Sequence, residues 1–508
     1  MNLEAFQKIA ASNLWGNLLP EIYLVALCLL LLVFEMVFRR QDLLLLFRVA
    51  LWGQVLLLVL MGLSYFGGFP SGREELFGGL LVQTPLTETM RLFFLFGSLL
   101  VSYLGTRFLR ARNLARTEFF AITLLVTAAL MLLVQSNQFV LLFVALETVT
   151  VGFYVLVAYA RTSGYSLEAG LKYLIMGALS SGLLLFGIVL LYGVAGSPDL
   201  AGAVGDPLHF PSLAQFIAAH PDNTLVLAGS LLVLSGIAFK VGAVPFQIWI
   251  PDVYQGAPTP VSAFLAVSSK AAGIIVLLTL VTGPFAALSG WTIPLISTVA
   301  VLTILYGNLT ALPQRNVKRI MGLSGIAHAG YLLMGVVAAM TVDWAVGAIV
   351  FYLFTYLLAS FGVFGVMALL SEGQDADQEL DHYEDLAKRQ PLLAAALTVG
   401  LASLAGIPPL GGFIGKLVLF IAAFQAGLYT LLAFSVVGVV LSIYYYFGWV
   451  REAVFRVWRS AEGAGSATPA LPEPRSLTGL DRTALVGLSV LTLILGVAPF
   501  VLTWFLQL

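Results

Sequence analysis

The sequence predicts an all-α polytopic membrane protein with about fourteen transmembrane helices. Of its 508 residues, 60% are hydrophobic and 10% are charged, whereas soluble domains are roughly 45–50% apolar and about 25% charged. Apolar runs of membrane-spanning length follow one another along the whole chain, separated by short polar or Gly/Pro-containing segments. Runs of about 20 apolar residues are long enough to cross the hydrocarbon core as helices.

We number the predicted spans 1 to 14 in chain order. They lie near residues 20–38, 44–67, 86–108, 117–135, 138–160, 167–195, 223–250, 260–282, 291–312, 319–340, 344–371, 391–426, 428–450 and 483–505. The first is not expected to be a cleaved signal peptide, because it is too long and Glu21 and Glu35 border it. The longer soluble segments are expected at 196–222, 371–390 and 457–482, and the last two are polar enough to be surface helices or loops.

Basic residues predict the orientation, since lysine and arginine near span ends collect on the cytoplasmic side. Eighteen of the 25 basic residues fall in the loops after spans 1, 3, 5, 9, 11 and 13, with Lys318 counted among them. The opposite side carries only Lys8 and Arg73. Both termini are therefore expected outside.

Composition also excludes several kinds of site. A single cysteine, Cys28, and four histidines are too few for a thiolate metal site, an iron–sulfur cluster or a disulfide framework. The net charge of −1 offers nucleic acid no basic surface. We therefore expect no cofactor, metal or nucleic acid to be bound by this chain.

The lysines are unusually placed. The chain has 18 arginines and seven lysines, yet four of the lysines lie within apolar runs: Lys172, Lys240, Lys270 and Lys416. A lysine at mid-membrane costs about 2.5–3.5 kcal/mol, so four would cost on the order of 10–14 kcal/mol without compensation. Arginine keeps its proton in proteins, whereas a buried lysine can release it. The choice of lysine therefore favours proton handling over a fixed charge.

Glu147 stands alone in the middle of span 5, in LLFVALETVTVGF, and is the expected counter-ion of one of these lysines. Such a pair at about 4 Å is worth roughly 4 kcal/mol at an effective dielectric near 20. Moving one charge through 100 mV costs about 2.3 kcal/mol. The free-energy change on breaking one such pair is thus large enough to drive a proton against a membrane potential. A static pair that only sets helix packing is the alternative.

Two spans are predicted to be broken, because proline removes a backbone donor and clashes with the preceding turn. Lys240 precedes a stretch with four prolines, and Lys416 follows LASLAGIPPLGGFIG. Broken helices in matching positions indicate inverted repeats with ion sites beside the breaks. We expect a three-helix region at 1–110, repeats at 111–285 (spans 4–8) and 286–457 (spans 9–13), and a linker with the last helix at 458–508. Two unrelated proline kinks are the alternative.

The remaining polar groups are weaker candidates. Lys270 lies mid-span among small residues and is interpreted as a relay, while Lys172 is close enough to the end of span 6 to reach the surface instead. His328 in span 10 can pass protons as a neutral imidazole, or be an ordinary core histidine. The three tyrosines at 444–446 are typical of an interfacial aromatic belt.

Two stretches resemble a known family: FKVGAVPFQIWIPDVYQGAPTPVSAFLAVSSKAAG at 239–273 and LASLAGIPPLGGFIGK at 401–416. They resemble subunit N of the proton-pumping NADH:quinone oxidoreductase, respiratory complex I, which is an antiporter-like membrane subunit. The resemblance implies that Glu147 is the span-5 glutamate, Lys240 its lysine partner, Lys270 the central lysine and Lys416 the lysine that opens outward. Lys172 then corresponds to an additional lysine of span 6.

Two positions depart from the pattern of this family. Gln247 stands where members usually have a histidine, and Gln255 where they often have a glutamate. A histidine at 247 would be a titratable step between Lys240 and Lys270. Its replacement suggests that water bridges this step, or that the histidine is not an obligatory carrier.

The predicted function is proton translocation along Glu147, Lys240, Lys270 and Lys416, driven by redox chemistry in partner subunits. The resemblance implies that NADH, FMN, iron–sulfur clusters and quinone are bound by other complex I subunits, with neighbouring antiporter-like subunits and the lipid bilayer as partners. A bacterial inner membrane is the expected location. The alternatives are an Mrp-type cation/proton antiporter subunit and a scaffold whose lysines only hold helices in place.

Overall fold

The computed structural model describes residues 10, 12–37, 43–66, 72–112, 114, 117–197, 204–371, 375–455 and 477–507. Within these ranges thirteen helices are long and apolar enough to cross a membrane. Two shorter apolar helices, Pro391–Ala405 and Gly411–Gln425, form one more span with a break in it. The predicted all-α polytopic fold is confirmed. A linker was predicted to begin at residue 458, and its residues up to 476 lie outside the described ranges.

The described helices keep the predicted order. Spans 1 to 7 are Leu19–Val37, Leu43–Phe66, Pro85–Arg112, Thr117–Gln135, Phe139–Val157, Gly164–Ala195 and Thr224–Val241 with Trp249–Gly256. Span 8 is Thr259–Thr282, with a π-helical turn at Leu265–Ser269. Spans 9 to 14 are Ser289–Ala311, Val317–Ala339, Ala345–Leu370, Pro391–Ala405 with Gly411–Gln425, Tyr429–Val450 and Gly479–Val497. Shorter helices outside the spans include Trp15–Leu18, Phe210–Ala219, Leu380–Tyr383, Leu386–Arg389 and Pro499–Phe505.

Spans 7 and 12 are broken, as predicted. We call their halves 7a (Thr224–Val241), 7b (Trp249–Gly256), 12a (Pro391–Ala405) and 12b (Gly411–Gln425). Helices 7a and 12a end on glycines with positive φ, Gly242 at 79° and Gly406 at 85°. In each case the amide of the glycine and that of the next residue donate back to carbonyls of the last turn, which is a helix-ending motif that favours glycine. A Gly-x-x-Pro sequence marks both breaks.

One element was not predicted. Strands Glu74–Leu76 and Leu81–Gln83 form an antiparallel pair in the loop before span 3, with Glu75 opposite Val82. Gly78 and Gly79 in the turn have positive φ values of 67° and 89°, which glycine adopts at little cost. The pair is too short to alter the fold class.

Span 10 lies at the centre of the molecule. Every residue of Val317–Ala339 is buried except Arg319. Small residues on this helix and its neighbours allow close backbone contact, as is typical of membrane helices. A Cβ atom added to Gly307 of span 9 would lie 2.5 Å from the backbone nitrogen of Ala327. Span 10 can therefore carry side chains that face several spans at once.

A buried ion cluster joins spans 1, 3 and 4 in the N-terminal region. Arg91 bonds to Glu21 at 2.6 Å and to Glu88 at 2.5 Å. Gln135 also donates to Glu21, at 2.9 Å. Such a cluster is strongly destabilised when one partner is removed, so it ties these spans together.

The close contact between spans 9 and 10 is testable. We expect Gly307→Ala to reduce the yield of folded protein severalfold, because the new methyl group meets backbone that cannot move aside. Gly290→Ala in the same span is the matched control, since its added Cβ meets nothing within 4 Å. Fluorescence-detected size exclusion of tagged protein measures the yield. Equal yields for both variants would contradict the close approach of the two backbones.

Candidate functional site

The first predicted site residue, Glu147, faces span 6. Its Oε1 accepts a hydrogen bond of 2.5 Å from Ser181. Lys240, at the end of helix 7a, donates to the hydroxyl of Thr150, which lies one helical turn after Glu147. In the described part of the chain, Lys240 and Glu147 therefore bind two different hydroxyl groups and do not form the expected direct pair.

Lys240 is buried and lies against span 8. Its Nζ is 5.9 Å from the centre of the Tyr173 ring, close enough for a cation–π contact. A Cβ atom added to Gly273 would lie 3.3 Å from the Cβ of Lys240. Gly273 follows Lys270 by three residues, so the helices that carry these two lysines touch here.

Lys270 is also buried, and it faces spans 10 and 11. Its Nζ donates to the carbonyl of Gly325 at 2.5 Å and to the hydroxyl of Tyr356 at 3.3 Å. The ammonium also lies 5.0 Å from the centre of the Tyr356 ring. Lys270 directly follows the π-helical turn of span 8, and such turns are frequent at functional sites.

His328 lies between two tyrosine hydroxyl groups. Its Nδ1 is 2.5 Å from the hydroxyl of Tyr352 and its Nε2 is 3.2 Å from that of Tyr446. Its ring centre is 4.9 Å from that of Tyr356, the tyrosine that binds Lys270. A neutral imidazole donates at one nitrogen and accepts at the other. The arrangement can therefore pass a proton from one hydroxyl to the other.

Lys416 lies in helix 12b and binds the end of helix 12a. Its Nζ donates to the carbonyls of Leu404 and Ala405 at 2.7 and 3.1 Å. The C-terminal end of a helix carries partial negative charge, which stabilises a cation. Tyr331, whose ring centre is 5.2 Å from this ammonium, lies one turn after His328 on span 10. The break in span 12 thus supplies the acceptors for the lysine beside it.

Lys172 lies apart from this line of groups. Its side chain is 43% exposed and it pairs with Glu168 and Asp252, each at 2.7 Å. Asp252 on helix 7b also pairs with Arg319 at 2.7 Å. This geometry matches the surface alternative for Lys172.

The sequence-based predictions missed the hydroxyl groups between the charged residues and misjudged three positions. The belt interpretation of residues 444–446 is wrong for Tyr445 and Tyr446, which are 5% and 0% exposed and bind Asn308 and His328, whereas Tyr444 is 72% exposed. Lys318, placed in a loop, is the second residue of span 10 and is fully buried. Thr150 was detectable in principle, since it lies three residues after Glu147 on the same helix face.

Gln247 lies in the break between helices 7a and 7b, at the position where the resemblance implies a titratable histidine. Gln247 is buried, and among the described residues none donates to its Oε1. No three His, Cys, Asp or Glu residues are grouped as metal ligands in the described ranges.

Comparison with known proteins follows the same segments. The family model for the membrane region of NADH:quinone oxidoreductases and Mrp antiporters matches residues 136–442, which include all six predicted site residues. NADH-quinone oxidoreductase subunit N 1 of Opitutus terrae is 56% identical over 497 residues, covering 98% of this chain and 98% of that protein.

Two solved structures share the fold. A chain of respiratory complex I from Thermus thermophilus is 30% identical, with a TM-score of 0.75, and the match covers 95% of this chain and 98% of that one. A chain of the Mrp complex from Dietzia has a TM-score of 0.80 at 22% identity, covering 96% of each chain. The fold alone is therefore common to both kinds of complex, and the sequence identity distinguishes between them.

Proposed function

This chain belongs to the subunit N family of NADH:quinone oxidoreductase, respiratory complex I, and we propose that it moves protons along a line of groups from Glu147 to Lys416. It is a proton-translocating membrane subunit of that enzyme. The proposed line runs through Lys240, Lys270 and His328. The observation that supports it is the order of these buried groups between the two broken spans: each lysine binds a neutral hydroxyl or carbonyl, and His328 lies between Tyr356 and Tyr352.

The first step of the line is a change of partner by Lys240. Its ammonium binds Thr150, and Glu147 lies one turn away on the same helix. The lysine side chain is long and flexible enough to reach either group. A move toward Glu147 stabilises the ammonium, and a return to the neutral hydroxyl favours loss of its proton. A pair at about 4 Å is worth roughly 4 kcal/mol at an effective dielectric near 20. When Lys240 leaves Glu147 this stabilisation of the ammonium is removed, which is enough to drive loss of the proton.

The central step passes from Lys270 toward Lys416. Lys270 holds its proton beside the Tyr356 hydroxyl, and His328 lies against the ring of the same tyrosine. Tyr352 binds His328 and packs against Gly415, the neighbour of Lys416 in sequence. Lys416 then holds the proton at the end of helix 12a, where the helix carbonyls stabilise its charge. Lys172 is a surface contributor to helix position and not a carrier in this proposal.

The redox chemistry is proposed to occur in other subunits of the complex. NADH, FMN, iron–sulfur clusters and quinone would be bound there, and neighbouring antiporter-like subunits would contact this chain within the bilayer. The chain is a bacterial membrane protein. Its location in the inner membrane with both termini outside is a proposal that rests on the distribution of basic residues.

The equivalence of spans 4–8 and 9–13 as inverted repeats is likewise proposed. The matching caps at Gly242 and Gly406 support it, because equivalent breaks with adjacent ion sites are typical of such repeats. An Mrp-type antiporter has the same fold, but the 56% identical relative is a subunit N, and this favours the complex I function. A scaffold role predicts that the buried lysines can be replaced without loss of pumping.

We expect Lys240→Met, Lys416→Met and Glu147→Gln each to lower NADH-driven proton pumping severalfold while the complex still assembles. Each change removes a group that holds or attracts a proton in the line. Lys388→Met is the matched control, because Lys388 is exposed on the short helix Leu386–Arg389 between spans 11 and 12. Pumping is measured in membrane vesicles with a pH-sensitive dye, alongside NADH:quinone reduction. Wild-type pumping in all three variants would favour the scaffold alternative.

The adjacent tyrosines allow a second comparison. Tyr446→Phe removes the hydroxyl 3.2 Å from His328 Nε2 and should slow coupled turnover about twofold to tenfold, the effect of losing one hydrogen bond at a proton-transfer step. Tyr444→Phe removes a hydroxyl from a side chain that is 72% exposed and should leave turnover at the wild-type rate. The same vesicle assay applies. Equal rates for the two variants would remove His328 and Tyr446 from the proposed line.

A further inference from the structure

A buried ion pair lies at the joint between helix 7b and span 8, which is formed by residues 257–259. Lys318 of span 10 is 0% exposed. Its Nζ donates to the carbonyl of Ala257 at 2.5 Å and to Asp375 Oδ2 at 3.0 Å. Ala257 directly follows Gly256, the last residue of helix 7b, and is its C-cap. The ammonium therefore rests on the end of a helix that carries partial negative charge.

Asp375 binds the other side of the same joint. Its Oδ2 accepts from the backbone amide of Thr259 at 2.9 Å and its Oδ1 from the Thr259 hydroxyl at 2.7 Å. Thr259 begins span 8, so the carboxylate lies at the helix end that carries partial positive charge. Each charge of the pair is thus placed on the helix end of opposite sign.

The pair also connects separate parts of the chain. Asp375 belongs to the segment between spans 11 and 12, and this segment is fixed to the start of span 10 by backbone bonds from Val317 to Gln378 and from Leu380 to Arg315. Arg319, the neighbour of Lys318, holds helix 7b through Asp252. The joint between helix 7b and span 8 is consequently held by residues from span 10 and from the segment between spans 11 and 12.

The two partners differ in their access to solvent. A cavity of about 420 Å³ is lined by Asp375 together with Arg112, Tyr165 and Asp377, whereas the Lys318 side chain is fully buried. Burial acts to raise the pKa of Asp375, but Lys318 and Arg112 outweigh it and hold that pKa below its ordinary value. The carboxylate is therefore ionised at neutral pH, and Arg112, 3.9 Å away, offers it a second cation.

We propose that Lys318 and Asp375 are positioning residues that lock the joint between helix 7b and span 8 and so fix the place of Lys270. Span 8 runs from the lock at Thr259 to Lys270 as one continuous helix that includes the π-helical turn at Leu265–Ser269. A rotation at its first turn would displace the Lys270 ammonium from Gly325 and Tyr356. The lock itself rests on geometry, and only its effect on pumping rests on the proposed function.

The test uses hydrogen–deuterium exchange of the intact complex, followed in peptides that cover residues 249–264. Lys318→Met and Asp375→Asn should each speed exchange there severalfold. Asp375→Asn should have the larger effect, because it leaves a fully buried cation without its counter-ion, whereas after Lys318→Met the carboxylate keeps Arg112. The control is Arg315→Met with Asp381→Asn, an exposed pair at 2.9 Å that joins the same two segments of the chain.

A variant with the two charges swapped distinguishes the lock from an ordinary ion pair. Lys318→Asp combined with Asp375→Lys keeps opposite charges together but places each on the helix end of like sign. We expect this double variant to exchange as fast as the single variants. If the double variant, or both single variants, showed the wild-type rate of hydrogen–deuterium exchange in residues 249–264, the lock would be overturned. If Asp375→Asn does not assemble, Lys318→Met and the double variant still decide.

Pumping gives the second readout. We expect the number of protons moved per NADH oxidised to fall in Lys318→Met and to stay at the wild-type value in the Arg315/Asp381 control. Faster exchange with an unchanged ratio would refute the positioning of Lys270 by the lock. Full pumping by Lys270→Met would instead count against the proposed proton line and leave the exchange result standing.

Discussion

A charge buried among membrane helices must find its compensation inside the protein, and the arrangement of this chain depends on that constraint. Lys240, Lys270 and Lys416 are all buried. Their described polar contacts are neutral, namely a threonine hydroxyl, a tyrosine hydroxyl and backbone carbonyls. Neutral acceptors stabilise an ammonium less than a carboxylate does, so each lysine remains able to lose its proton. In the proposed proton line, these neutral contacts permit burial of the lysines and still allow each of them to release its proton.

The broken helices supply part of that compensation. Backbone carbonyls left unpaired at a helix end would be costly in the membrane. At the end of helix 12a two of them accept from Lys416, and at the end of helix 7b one accepts from Lys318. Glycines at the ends of 7a and 12a let the chain leave each helix without strain. The break in span 12 and the end of helix 7b are therefore both cation sites.

Much of this was readable from sequence, because hydropathy and proline placement act locally. The spans, both breaks and the buried lysines followed from runs of residue types. The partners did not, since Thr150, Tyr356 and Tyr446 meet the charged groups only after distant spans pack together. Three consecutive tyrosines gave the pattern of an interfacial belt, and only the packing of span 13 against span 10 decides that Tyr446 points inward. Lys318 was misassigned because a lysine next to a loop usually faces water.

The two classes of buried lysine in this chain differ in their partners. Lys318 has a carboxylate at 3.0 Å that is itself held at a helix start, whereas Lys416 has carbonyls only among its described hydrogen-bond acceptors. A lysine with a fixed carboxylate keeps its charge and holds helices in register. One bound to carbonyls or hydroxyls gains less from being charged, so a moderate change in the field decides whether it holds a proton. Glu147 can supply such a change for Lys240, because it lies one turn from the hydroxyl that the lysine now binds. On the proposed functions, the same side chain serves for anchoring at Lys318 and for proton transfer at Lys416, and the acceptor that each lysine binds distinguishes the two roles.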